Sequence, residues 1–143
     1  MKRLAISMMV FCSLMMMSGV AWCGDNGNGT VTVNGLVWMK DAGCLGKINW
    51  NDAMARAKTV ADGQCGLTDK SKPGDWRLPT VVELKSIYVS KSQFKNVQAY
   101  NYWSSSTYSD TATAAWYVYM DIGSVGCASK GSNGYVWPVR GGW

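Results

Sequence analysis

The segment Gly74-Asp-Trp-Arg-Leu-Pro-Thr-Val-Val-Glu83 constrains this chain more tightly than any other. Pro79 fixes its own φ and drives Leu78 towards an extended conformation, so Trp76, Arg77 and Leu78 are expected to run as a short strand or rail. A helix must then begin abruptly. Thr80 and Glu83 have the spacing of a capping box, in which the Thr hydroxyl accepts from one free helix N–H and the Glu carboxylate accepts from another. The predicted helix runs from about Val81 to Ser90, burying Val81, Leu84, Ile87 and Tyr88 and leaving Lys85, Ser86 and Lys91 outside. Arg77, together with Arg140 near the end of the chain, is expected to make buried charge-assisted bonds, with Asp75 and Asp121 as partners.

The same segment carries a family resemblance. Gly-Asp-Trp-Arg-Leu-Pro-Thr followed by Glu83-Leu84 resembles the signature of the C-terminal domain family of the Legionella collagen-like adhesin (Lcl C-terminal domain). Further pieces agree in order: the Asp25 to Thr32 stretch, Gly35 to Asp41, Trp50 with Ala53, Tyr102-Trp-Ser-Ser-Ser106, Ala115-Trp116 and Val136-Trp-Pro-Val-Arg140. The Arg-Leu-Pro-Thr core is also similar to that of the formylglycine-generating enzyme superfamily. The resemblance implies a C-type lectin-like fold, here an α+β arrangement of two helices on a twisted, mainly antiparallel sheet. It also implies binding of sulfated polysaccharides and assembly of a homo-oligomer, a trimer in the adhesin. The collagen-like stalk is missing from this sequence.

Residues 1 to 21 read as an export signal: Lys2 and Arg3 are basic, Leu4 to Met17 is apolar, and Gly19 and Ala21 are small residues at a cleavage site. Cleavage after Ala21 competes with cleavage after Cys23, an uncleaved anchor and a lipid anchor on Cys23. Ser18-Gly19 breaks the apolar run and no basic stop-transfer flank follows, so no stable membrane insertion is expected after processing. A secreted, periplasmic or outer-surface location follows. Removal of the signal leaves 122 residues, of which 24–143 are one expected domain, carrying 12 basic and 9 acidic side chains, a net charge of +3. That mild excess favours acidic partners, and export removes nucleic acid from consideration.

Cysteine usage agrees with an oxidising compartment. Cys44 and Cys65 flank a predicted helix and are the expected disulfide, tying its entrance to its exit. Cys127 is left as a buried free thiol, a partner for Cys23 or an intermolecular link. The spacings match no zinc pattern and the chain has no His.

Val31-Thr-Val-Asn-Gly-Leu-Val-Trp38 alternates around Asn34-Gly35, the preferred pair for a two-residue type I′ hairpin. The first helix is predicted over Asn49 to Gly63, with Asn49 as N-cap, Asp52 in the first turn, Gly63 closing it, and Trp50, Met54, Ala57 and Ala61 as its buried face. Asp25 to Gly29 reads as a turn. Trp50-Asn51-Asp52 matches a lectin calcium motif in letters only, because it stands at a helix start and lacks a partner motif, so no metal or other cofactor is expected. From Tyr100 the period becomes two. Trp116, Val118 and Met120 should share one face and Ala115, Tyr117 and Tyr119 the other, in a three-stranded meander ending with Tyr135 to Val139.

Trp38, Trp50, Trp76, Trp116 and Trp137 are the expected core filling. The candidate ligand-binding residues are Lys85, Lys91, Lys95 and Lys130, none at a predicted core position, and Tyr108, Tyr117 and Tyr119, for which an exposed face beside Lys130 competes with ordinary sheet packing. A catalytic role is not expected. Without His there is no imidazole base, the single Glu of the chain is committed to its cap, and the copper-holding cysteine pair of the formylglycine-generating oxidases is reduced here to Cys127 alone. The expected function is an exported module binding a sulfated or acidic polysaccharide or a surface protein; the competing reading is a structural or interaction subunit of an envelope assembly.

Overall fold

The computed structural model describes residues 24–142, so the predicted export signal and Cys23 lie outside the described residues. In chain order the elements are β1 (Gly24–Asp25), β2 (Thr30–Val33), β3 (Leu36–Met39), β4 (Lys47–Ile48), α1 (Trp50–Thr59), α2 (Val81–Ile87) continued by a 3-10 turn (Tyr88–Gln93), β5 (Asn101–Thr107), β6 (Ala114–Tyr119), β7 (Ser124–Ser129), β8 (Gly134–Tyr135) and β9 (Val139–Arg140). They build two sheets where one was expected: β1-β2-β3-β9, and β4-β8-β5-β6-β7, antiparallel except for the β5–β8 pair.

Local chemistry accounts for the first elements. Asn34 and Gly35 both take positive φ, 51° and 79°, and Val33 faces Leu36, which makes the two-residue type I′ hairpin. Asn49 caps α1 by accepting from the Asp52 N–H at 2.9 Å. That helix is shorter than expected. It stops at Thr59, and Val60 turns extended and is buried in the main core, while Gly63, at φ 89°, serves the following loop. The burial of Val60 draws the chain out of the helix before Gly63 is reached.

α2 begins at Thr80 as predicted, with both halves of the capping box formed, and its last turn tightens into the 3-10 segment at Tyr88. Leu84 and Ile87 are fully buried; Val81 and Tyr88 pack at the margin of the core. Ahead of it the rail is real. Arg77 and Val139 exchange two backbone hydrogen bonds, each 2.9 Å, so the segment before the helix is stitched antiparallel to the final strand.

The larger sheet is covered on both faces, and strand alternation sorts its side chains between them. Tyr102, Val118 and Met120 join Leu84 and Ile87 of the α2 side in the main core, whereas Trp103 and Ala115 pack with Ala53 and Ala57 of α1, and Tyr117 packs half-buried against them. Two alanines let that helix lie close to the sheet. Among the described residues the fully buried tryptophans are Trp38, Trp76, Trp103 and Trp137; Trp38 and Phe94 meet Trp137 edge-on at 5.6 and 4.8 Å. Trp50 and Trp116, expected in the core, are only half-buried. Trp50 stands in the first turn of α1 with its indole N–H on the Ser104 carbonyl at 2.8 Å, and Trp116 faces Tyr108 towards the outer part of the sheet.

The end of the chain departs from the expected meander. After β7 the chain does not return beside it. It crosses the sheet and inserts β8 between β4 and β5, parallel to β5, and β9 then leaves for the other sheet. Gly134 permits this insertion, since a Cβ there would lie 2.9 Å from the indole nitrogen of the buried Trp103. Cys44 and Cys65 form the expected disulfide, Cα atoms 5.8 Å apart, enclosing a loop of 21 residues for which the chain-entropy relation predicts about 3 kcal/mol.

Candidate functional site

The motif segment is a polar junction at the meeting of α2, the rail and the chain's end. The Arg77 guanidinium grips Glu83 through two parallel bonds of 2.8 and 2.9 Å and donates to the Gly141 carbonyl at 2.8 Å. Glu83 accepts at the same time from the Thr80 N–H at 2.8 Å. One carboxylate thus closes the cap and anchors the rail. Arg77 is the leading cause that holds the Glu83 carboxyl below its usual range, with the Thr80 amide adding to the effect and burial opposing it. Neither predicted acid is the arginine partner: Arg77 takes Glu83 instead of Asp75, and Arg140 takes Asp69 instead of Asp121, at 3.2 Å. The Asp69 carboxylate is fully buried, and the Arg140 guanidinium stands 5.3 Å from the Trp76 ring. A cleft of about 380 Å³ opens here between Gly35, Val37, Gly74, Asp75, Arg140 and Gly141. Trp76 and Leu78 are buried and Pro79 with them, so this part of the motif is packing.

Of the four candidate lysines, two meet. Lys85 and Lys91 bracket Tyr88, 5.9 and 4.6 Å from its ring centre. Their ammonium groups latch the turn between β6 and β7: Lys85 donates to the Gly123 carbonyl, and Lys91 to the Met120 and Asp121 carbonyls at 3.0 and 3.4 Å. Gly123 is required where it sits, because a Cβ would press on the Tyr88 ring at 2.7 Å. Lys95 is exposed a few residues further on, its backbone held by Lys40. Beside this group a second cleft, of about 390 Å³, is lined by Lys91, Asn96, Gln98, Ala99 and Asp121 among others.

Lys130 is elsewhere. Its ammonium lies 4.1 Å over the Trp50 ring and donates to the Thr107 hydroxyl at 3.1 Å. The Met120–Gly123 turn precedes the six residues of β7 and Lys130 follows them, so about 20 Å of strand separates the two groups. That exceeds the screening length of roughly 8 Å, so Lys130 does not act with the other three as one charge cluster.

The candidate tyrosines are likewise divided. Tyr117 and Tyr119 share the α1 side of β6, half-buried, with the Tyr117 hydroxyl filling the space over Gly126. Tyr108 packs edge-on against Trp116 at 5.0 Å and donates to Asp110 at 2.9 Å, the bond that raises its pKa. The tyrosines take the sheet-packing alternative and form no exposed face beside Lys130, which Trp50 holds instead.

One cation–aromatic group has no local signal in the sequence. Lys47 stands 4.4 Å over the ring of Tyr100, which is partly exposed, and 5.9 Å from Tyr135, which in turn stacks on buried Tyr102. It arises only because β8 slots between β4 and β5. Among the described residues, no group of three or more acidic or cysteine side chains is arranged to hold a metal ion. No helix among them is long and apolar enough to cross a membrane, and the disulfide suits an extracytoplasmic compartment.

These features define an α+β domain with a closed, buried motif and lysine–aromatic groups on its surface. The chain belongs to the Lcl C-terminal domain family, whose model matches residues 29–140, and so to a family of adhesin domains. A search among curated proteins finds no match.

Proposed function

We propose that this chain is an exported, adhesin-type binding module whose ligand is a sulfated or otherwise acidic polysaccharide, and that Lys85, Lys91 and Lys95 supply the binding charge. The single observation carrying the proposal is the cleft of about 390 Å³ beside Lys91, with the Lys85–Tyr88–Lys91 group next to it. Each ammonium carries three donors and spends only one or two on the β6–β7 turn, so donors remain for an anion. Asn96, Gln98 and Asp121 at the same cleft offer amide and carboxylate partners for sugar hydroxyls. We read the role as binding and not catalysis, since the only Glu is tied to Arg77 and Thr80 and the chain has no His. The architecture is read as C-type lectin-like, supported by the pairing of β3, in the early hairpin, with β9 near residue 140.

The test is binding of the mature chain to heparin-like and neutral glycans across salt concentrations. Affinity for the acidic glycan should fall steeply with salt through counterion release. Lys85→Gln/Lys91→Gln/Lys95→Gln should lose most of it, and Lys130→Gln little, with thermal melting as a check on folding. Equal binding by the triple variant, or binding indifferent to salt, removes the polyanion reading. Binding to no glycan would favour the reading as a subunit of an envelope assembly, which the outer edge of β7, unpaired among the described residues, also favours.

A further inference from the structure

β7 ends the larger sheet, and among the described residues nothing pairs with its outer side. It runs in unbroken register against β6 from Ser124 to Ser129, with no bulge. In the same register the Lys130 N–H donates to the Thr113 carbonyl at 2.8 Å. Hydrogen-bonded and non-bonded pairs alternate in an antiparallel ladder, so Gly126 and Ala128 bond inward to β6 while Val125, Cys127 and Ser129 turn their N–H and C=O groups outward. The side chains of those three residues are exposed as well. Edge strands are ordinarily blunted by charge, proline, a bulge or a covering element. Ser-Val-Gly-Cys-Ala-Ser has none of the first three, and no strand among the described residues pairs over it.

We infer that β7 is a self-association edge, pairing antiparallel with β7 of a second copy of this chain about a two-fold axis at Cys127. The strand is self-complementary in that register. Val125 faces the partner's Ser129, Gly126 faces the partner's Ala128, and Lys130 faces the partner's Ser124, so no like charges oppose one another. The outward main-chain groups of Val125, Cys127 and Ser129 all find partners, and the ten strands of two copies form one continuous sheet. Cys127 then meets the partner's Cys127 as a hydrogen-bonded pair, for which Cα atoms stand about 5.5 Å apart, within the span a disulfide bridges. Cys127 is a free, exposed thiol in a chain that already carries one disulfide. Closing the bond releases two protons and passes two electrons to a disulfide-bearing thiol oxidant, whose own disulfide becomes two thiols. A six-residue edge is short for a lasting interface, and the covalent link makes it persist.

The experiment measures mass by sedimentation and by non-reducing intact mass on the mature chain, with Cys127→Ser and with Val125→Lys/Ser129→Lys, which sets lysines across the seam. The wild type should be a dimer joined through Cys127. The serine variant should dimerise reversibly, with at least a tenfold larger dimer fraction than the same serine variant carrying the two lysines at equal concentration. The double-lysine variant should also form the covalent dimer at least tenfold more slowly. A wild type that stays monomeric with a reactive Cys127 thiol overturns the inference. So does a trimer, a link through Cys23, or covalent dimerisation that the added lysines do not slow.

Discussion

The junction at Arg77 and the edge at β7 show two opposite fates of a strand's polar groups. At the junction the groups of the rail and the cap are used twice, although the side-chain nitrogens Trp76 Nε1 and Arg140 Nε are buried there without a hydrogen bond: Glu83 serves Thr80 and Arg77, Arg77 serves Glu83 and Gly141, and Val139 pairs with Arg77 on one side while β9 pairs with β3 on the other. Along β7 half of the main-chain groups face inward and the remainder face outward without a partner among the described residues. The rail is one bridge long and β7 is six residues long, yet the shorter piece is better satisfied. Length in a sheet does not set how firmly a strand is held; the number of neighbours that surround it does.

Three measurements break or sharpen that contrast. The largest effect belongs to the Cys44–Cys65 tether. Cys44→Ser/Cys65→Ser should destabilise by about 3 kcal/mol in denaturant titrations, because the open chain regains its loop entropy. A loss below about 1 kcal/mol would mean that the 44–65 loop is already ordered by packing alone.

Next comes the cap. Thr80→Ala should cost about 1 kcal/mol at neutral pH. Because the Glu83 pKa is lowered in the folded state, the ionised form is the one that binds Arg77 and Thr80. Its contribution is present above the usual carboxylate value and is lost as pH falls through the lowered value. In Glu83→Gln that part of the acid dependence should vanish, and an unchanged acid titration would show that the Arg77 pair does not stabilise the fold.

The smallest effect is expected at the edge. Val125→Lys, read in the Cys127→Ser background at dilutions where the chain is monomeric, should shift stability by no more than about 0.5 kcal/mol. A larger loss would show that β7 is held from outside by something the contrast leaves out.

Much of the junction was legible in the sequence, and little of the surface site was. The capping box, the type I′ hairpin, the Asn49 cap and the Cys44–Cys65 bond all connect residues near in sequence or flanking one element, so spacing identifies them. Lys85 and Lys91 were legible as surface cations for the same reason, since six residues of helix carry them both past Tyr88. Their anchorage on the β6–β7 turn was not, nor was the separation of Lys130 from them.

What the sequence by itself determined is where elements start and stop and which short-range groups satisfy one another, because those free energies are decided within a few residues of the chain. Only the tertiary structure decided who meets whom at a distance. Asp69 reached Arg140 in place of Asp121, β8 entered between β4 and β5 in place of lying beside β7, and Lys47 came over Tyr100. Each of those choices depends on closing a long loop and on the space left by partners such as Gly134 beneath Trp103, quantities that no local pattern encodes.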